Sequence, residues 1–493
     1  MLLAALRAPC RAQGAQVART FARAFGSRSP AVARPASRVL SQVRWPGTLR
    51  QQAAAAPSGG RFYAVAVNTP PPSGAQQVPP AAEAEAPPKV DEAVPQLVPK
   101  SVGIWLMSCS VLVLLIVVVG GVTRLTESGL SIVEWRPVTG IIPPRNAAEW
   151  EEEFNKYKES PEYKLLNHHF TVSEFKKIFY MEWGHRILGR LLGVYFLVPF
   201  AYFAARGRLD KRTLYKCLAM GGLIGAQGAM GWYMVKSGLE DSIIEENGVP
   251  RVSHYRLTSH LALAFALYAG MFYEGMAIIK DWKYAHGKPW SGLKDGTTVE
   301  ECLKRPAVRS FLRQARWATG LVFITALSGA LVAGLDAGLL YNEWPYMGNG
   351  FMPPKEELLD TRYSKTADRS DLWWRSILEN PVTVQFDHRT MAYISYSMVT
   401  ALAAQALYRP GWKAALPRAA TISILAGWVA VNVQVLLGIT TLLYMVPTST
   451  ASQHQLNSMV LMSAMFHTLL SLRRPSAAAR AWRAAAAKAA GRK

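Results

Sequence analysis

Eight apolar stretches constrain the fold of this chain more than any other feature. They run over residues 104–122, 187–205, 214–235, 260–279, 318–340, 391–407, 421–445 and 456–472. A helix of about 20 residues, rising about 1.5 Å per residue, crosses a hydrocarbon core of ~30 Å. No water is present there to satisfy a bare backbone, so such a segment must be helical. The expectation is an all-α membrane protein with eight transmembrane helices. Gly, Ala and Ser recur within the runs, which lets helix backbones approach closely. Other classes fall away: 493 residues hold only 4 Cys, with no collagen-like period and no heptads. Cys10 lies near the start, Cys109 and Cys217 lie inside apolar runs, and Cys302 lies in a polar connection. None is placed to pair, so no structural disulfide is expected.

The formal net charge of +22 first suggests a nucleic-acid partner. Its distribution argues otherwise. Residues 1–61 contain ten arginines, no lysine and no acid. An arginine-rich, acid-free leader is the pattern of a mitochondrial transit peptide. Arg61-Phe62-Tyr63-Ala64 resembles a matrix-protease cleavage site. The leader is placed at residues 1–63, followed by a disordered Pro- and Ala-rich linker at 64–100. Nearly half of the other cations fall in alternate connections, at 206–212, 281–316 and 409–418, and in the tail 474–493. The opposite connections are mixed or acidic, as at Glu151-Glu152-Glu153. The positive-inside rule then puts both termini and the basic loop 281–316 in the matrix. The long connections 125–183 and 341–387 face the intermembrane space. No nucleic acid is expected.

The chain also repeats itself. Gly129-Leu130, Glu134-Trp135 and Pro143-Pro144 follow the first run, and Gly338-Leu339, Glu343-Trp344 and Pro353-Pro354 follow the fifth. His185-Arg186 matches His388-Arg389, Gln227 with Gly231 matches Gln434 with Gly438, and Ser259-His260 matches Gln453-His454. Four spans per copy is an even number, so the copies are two parallel four-helix repeats, residues 101–280 and 317–473.

Four of the nine histidines, His185, His260, His388 and His454, start the even-numbered spans, all at the intermembrane-space end. A lone histidine at this depth is ordinarily a snorkelling polar residue. Four in repeat register suggest ligands. Two imidazoles from two helices can hold a haem iron between them. The repeat pairs His185 with His260 and His388 with His454, predicting two haem-sized sites side by side. Glu182 precedes His185 by three residues, and its counterpart is Gln385. Only a carboxylate can move a proton, so the first copy reads as reactive and the second as electron-holding. Arg124, Arg186, Arg256 and Arg389 are candidates for binding haem propionates, or else headgroup anchors.

These residues carry a family resemblance. The run from Gly120 to Ser131, then Trp135 and Pro143-Pro144, resembles the first-span signature of the haem A synthase family. Glu182-x-x-His185-Arg186, Tyr255-Arg256-x-x-x-His260, His388-Arg389 and His454 resemble its later motifs, over roughly residues 100–473. The resemblance implies oxidation of the C8 methyl of haem O to a formyl group, for assembly of cytochrome c oxidase. It implies a permanent haem b on His388 and His454, substrate haem O at His185 and His260, and Glu182 as the catalytic carboxylate. Implied partners are the farnesyltransferase that supplies haem O, a ferredoxin-type electron donor and cytochrome c oxidase assembly factors. A homo-oligomer is left open. Bacterial relatives often carry an outer-loop Cys pair that this chain lacks. Two other functions compete: a carrier like cytochrome b561, and a haem-delivery chaperone. A b561-like carrier tends to place haems on opposite membrane faces, and neither rival needs an acid in one copy only.

Overall fold

The computed structural model describes residues 94–137, 139–245, 249–293 and 297–490, all within one compact unit. The expected leader and nearly all of the linker lie outside the described residues. Every regular element among the described residues is helical, apart from one isolated bridge between Met347 and Gly350.

Eight of the helices are 24 residues or longer: α1 Lys100–Leu125, α2 Val172–Ala205, α3 Lys211–Lys236, α4 His254–Ala285, α5 Pro306–Gly334, α6 Pro381–Tyr408, α7 Arg418–Leu443 and α8 Thr448–Ser471. Five of them, α1, α2, α4, α5 and α7, are long and apolar enough to cross a membrane. The other three carry more polar residues. Gln385, Asp387, His388 and Arg389 lie on α6, and Gln453, His454, Gln455 and Asn457 lie on α8. Groups of this kind raise a helix's polarity while facing the bundle interior.

Helices α1 to α4 pack in a ring, α1 on α2, α2 on α3, α3 on α4 and α4 back on α1, and α5 to α8 close the same ring. The rings meet where α4 packs on α5 and α8 packs on α1 and α4. Each ring has its own core. Leu106, Phe196, Leu267 and Met271 centre the first, and Phe311, Leu402, Ile424 and Met465 the second. Glycine sets a close crossing of α1 and α4. A Cβ on Gly275 of α4 would stand 2.9 Å from the Gly103 carbonyl of α1. Both halves leave their first helix through a left-handed residue, Glu127 at φ 52° and Asp336 at φ 53°.

Boundaries depart from expectation at three places. The second span, expected at 187–205, belongs to a helix that starts at Val172. Thr171 and Glu174 form a reciprocal N-cap. The added turns bury Phe175 and Phe179 against Trp150, Phe154 and Tyr157. Those three come from helix Ala147–Lys158 inside the expected loop. Much of the expected loop 281–316 is also helical, since α4 runs to Ala285 and α5 begins at Pro306. The tail forms a helix, Ala477–Ala490, which buries Ala479 and donates from Trp482 Nε1 to the Pro95 carbonyl at 2.9 Å.

Gly275→Val should force α1 and α4 apart, an overpacking cost of roughly 1–3 kcal/mol. The melting temperature of the purified protein in detergent should fall. An unchanged melt would mean that this crossing tolerates a side chain.

Candidate functional site: paired histidines at one end of the bundle

Each candidate histidine lies in the first half of an even-numbered helix and faces a glycine near the end of the preceding odd-numbered helix. A Cβ would meet His185 Nε2 at 2.8 Å if placed on Gly120, and His260 Cε1 at 3.3 Å if placed on Gly231. On Gly329 it would meet His388 Cε1 at 3.2 Å, and on Gly438 His454 Cε1 at 3.0 Å. Successive helices run antiparallel, so all four points lie toward one end of the bundle. His185 is not at the start of its helix as expected, because α2 extends thirteen residues before it.

His388 and His454 lie close together. The His388 and His454 ring centroids are 6.4 Å apart, at an interplanar angle of 75°. One metal atom between two imidazoles, with bonds of about 2 Å and about 1 Å more to each ring centre, separates the centroids by about 6 Å. The spacing therefore fits such a group. No group of three or more His, Cys, Asp or Glu placed to hold a metal ion occurs among the described residues.

The two pairs differ in how the rings are held. Ser328 Oγ lies 2.7 Å from His388 Nδ1 and donates to the Thr325 carbonyl, which leaves it to accept from the imidazole. The Gln434 carbonyl lies 3.1 Å from His454 Nδ1. Both contacts favour the tautomer with an unprotonated Nε2, which is open at His388 and at His454 lies 3.2 Å from the Gln434 side-chain amide nitrogen. In the first copy, Ser328 is replaced by Val119. His260 Nδ1 is buried without a protein partner.

Glu182 is buried, and its carboxylate accepts four hydrogen bonds. Ser131 Oγ and Ile132 N donate to one oxygen at 2.7 and 2.9 Å. Arg186 Nε and Nη2 donate to the other at 3.1 and 2.7 Å. Arg186 also donates to the carbonyls of Ile132 and Glu134. The carboxylate thus latches the outer segment 131–134 onto α2. Gln385 makes one bond in the equivalent place, to the Tyr341 carbonyl, and its Oε1 is buried without a partner. Arg389 carries the second latch, donating to the carbonyls of Glu343, Pro345 and Tyr346.

The other two arginines are also engaged. Arg124 pairs with Asp336 at 2.8 Å and joins the two halves, and Arg251 reaches the same carboxylate. Arg256 donates to the Tyr233 carbonyl and lies over the Tyr233 ring. Sequence reasoning passed over Ser328 and Ser131. Their signal is a small hydroxyl residue beside a repeat-matched glycine or in the segment facing a buried acid. All three described cysteines are buried and unpaired.

Fold and site define a class: among the described residues, a helical bundle with apolar spanning-length helices and four glycine-facing histidines toward one end. The family model for COX15-CtaA, described as cytochrome oxidase assembly protein, matches residues 103–466. The chain belongs to that family. It is 45% identical over 379 residues to Heme A synthase COX15 of Saccharomyces cerevisiae, covering 77% of this chain and 76% of that protein. Heme A synthase COX15 of Homo sapiens is 41% identical over 376 residues, 76% of this chain and 83% of the relative. A Schizosaccharomyces pombe relative, Heme A synthase-mitochondrial ferredoxin fusion protein, is 41% identical over 77% of this chain and 61% of its own length.

Removing the latch should free the outer segment. Glu182→Ala leaves Arg186 without its buried partner, a loss of roughly 3–5 kcal/mol locally. A glutamate-specific protease should then cut after Glu134 faster than in the parent, with Gln385→Ala showing no such change there. Equal cutting in parent and Glu182→Ala would refute the latch.

Proposed function

We propose that this protein is a haem A synthase of the mitochondrial inner membrane, oxidising the C8 methyl of haem O to a formyl group for cytochrome c oxidase. The observation that carries the assignment is the unequal pair of histidine sites. His388 and His454 have both Nδ1 atoms tied, as suits ligands of a resident group. They would hold haem b, which supplies one-electron storage. His260 has no such tie, and the buried Glu182 lies on α2 three residues before His185. That suits a site whose occupant arrives as haem O and leaves as haem A. The resident-cofactor pair therefore sits in residues 317–473 and the substrate pair in 101–280.

In this reading all eight long helices span the bilayer as two parallel repeats. The matching rings, the matching left-handed residues and the four glycine–histidine contacts support it. Both termini face the matrix, and the histidines lie toward the intermembrane space. Arg124, Arg186, Arg256 and Arg389 stand within about one helical turn of a histidine or its facing glycine. They form the cationic edge for haem propionates while holding their carbonyl or carboxylate partners. Glu182 binds next to the substrate methyl side and holds or moves its proton. A ferredoxin-type donor supplies electrons from the matrix, as the fused relative supports. The farnesyltransferase that makes haem O and the oxidase assembly factors complete the partners.

His388→Ala should abolish haem A in pigment extracted from membranes of cells making the variant. Glu182→Gln should still bind haem but accumulate haem O or a hydroxylated intermediate. Normal haem A in the first variant would remove the cofactor assignment, and in the second the role of the acid.

A further inference from the structure

The first ring carries a groove beside His185 that the second ring does not repeat. It has a volume of about 480 Å³ and is lined by Val119 of α1 and by one face of α2 between Lys177 and Leu188. That volume is typical of small-molecule sites, which run from roughly 300 to 1,000 Å³. Apart from Lys177 at one end and the Tyr180 phenol, the lining side chains are apolar. Gly184 leaves the middle open, since a Cβ built there would meet nothing within 4 Å. Gly184 immediately precedes His185, and Val119 precedes Gly120, the glycine against the His185 ring. The groove therefore begins next to that histidine and follows α2 for about 16 Å.

Aligning His185 with His388 and Gly120 with Gly329 gives the matching surface of the second ring. There Val119 is matched by Ser328, Tyr180 by Thr383, Met181 by Val384, Gly184 by Asp387 and Ile187 by Thr390. This surface is also covered. Thr383 Oγ1 donates to the Leu358 carbonyl at 2.6 Å and Asn380 Nδ2 to the Glu357 carbonyl at 2.7 Å, which lays helix Lys355–Leu358 over it. Thr383 is 7% exposed and Val384 1%, against 46% for Tyr180. One ring closes with polar groups what the other leaves open and apolar.

We propose that the groove holds the farnesyl-derived chain of haem O and selects that haem for the first ring. The proposal rests on the function assigned above. Haem O and haem b differ at this chain, and the two rings differ at this groove. In a bilayer the chain gains little by leaving lipid, because acyl tails are as apolar as the groove. The gain is in packing and position. A chain held along α2 beside His185 fixes the rotation of the macrocycle in its plane, and so which methyl is presented for oxidation. At the matching point of the second ring, Asp387 would set a charge against such a chain, which is costly in apolar surroundings.

The test uses the full mature chain in lipid discs, with haem b already bound at His388 and His454. Absorbance titration with added haem O, and separately with added haem b, gives the affinity of the first-ring site for each. The parent should favour haem O by at least about tenfold. Gly184→Leu fills the groove and Gly184→Asp copies the second ring. Each should abolish the preference and leave the affinity for haem b unchanged, with the haem b retained at His388 and His454 reporting an intact fold. A parent without preference, or a preference unchanged in both variants, would overturn the proposal; the groove would then hold only acyl chains. A photoreactive farnesol should label the peptide around Met181 in the parent and not in Gly184→Leu, and equal labelling would also overturn it. A parent that binds no added haem would refute the assigned function, while the labelling still decides on the groove.

Discussion

Four imidazole rings lie against four glycines, and the rest of the structure depends on that contact. Each ring sits where even one methyl group on the neighbouring helix would stand 2.8–3.3 Å from it. Glycine therefore sets how near the odd and even helices come at this end of the bundle. The same rule operates away from the histidines, where Gly103 and Gly275 bring α1 and α4 into backbone contact. Close approach is favoured in lipid, where tight packing replaces the hydrophobic drive of water. It also fixes the depth of the rings, because the facing glycines all fall in the last turns of the odd helices.

On this shared frame the two four-helix rings differ in chemistry. The second copy orients its ring nitrogens with Ser328 and the Gln434 carbonyl. The first copy puts Val119 where Ser328 would be and spends its polar groups on Glu182 and Arg186. Glu182 binds the outer segment to α2 through four hydrogen bonds, whereas Gln385 makes one. An acid next to one site and an amide next to the other is a difference in charge and in the capacity to move a proton. Asp336 ties the halves together by taking Arg124 from the first. The copies are thus joined at the level of their sites.

Much of this was legible in the sequence because lipid imposes simple rules. Eight apolar runs, a repeated order of motifs and histidines in register led to the helices and to their pairing. The outer cap was not legible. Its aromatic residues lie among Glu and Lys, so residues 125–183 read as a polar loop. In space Trp150, Phe154 and Tyr157 meet Phe175 and Phe179 and draw α2 fifteen residues beyond its apolar run. Gly231 and Gly438 were visible as repeat markers, but their place against a ring appears only in three dimensions. The commitments of the four arginines were also hidden, because main-chain carbonyls in outer loops are invisible to spacing.

The central claim is that one chain holds a resident haem at one pair of histidines and a haem being modified at the other. Chromatography of the haems extracted from the purified full chain tests it most directly. The account predicts haem b together with haem O, its hydroxylated form or haem A. Haem b alone, in preparations that retain all four histidines and full occupancy of both sites, would contradict it.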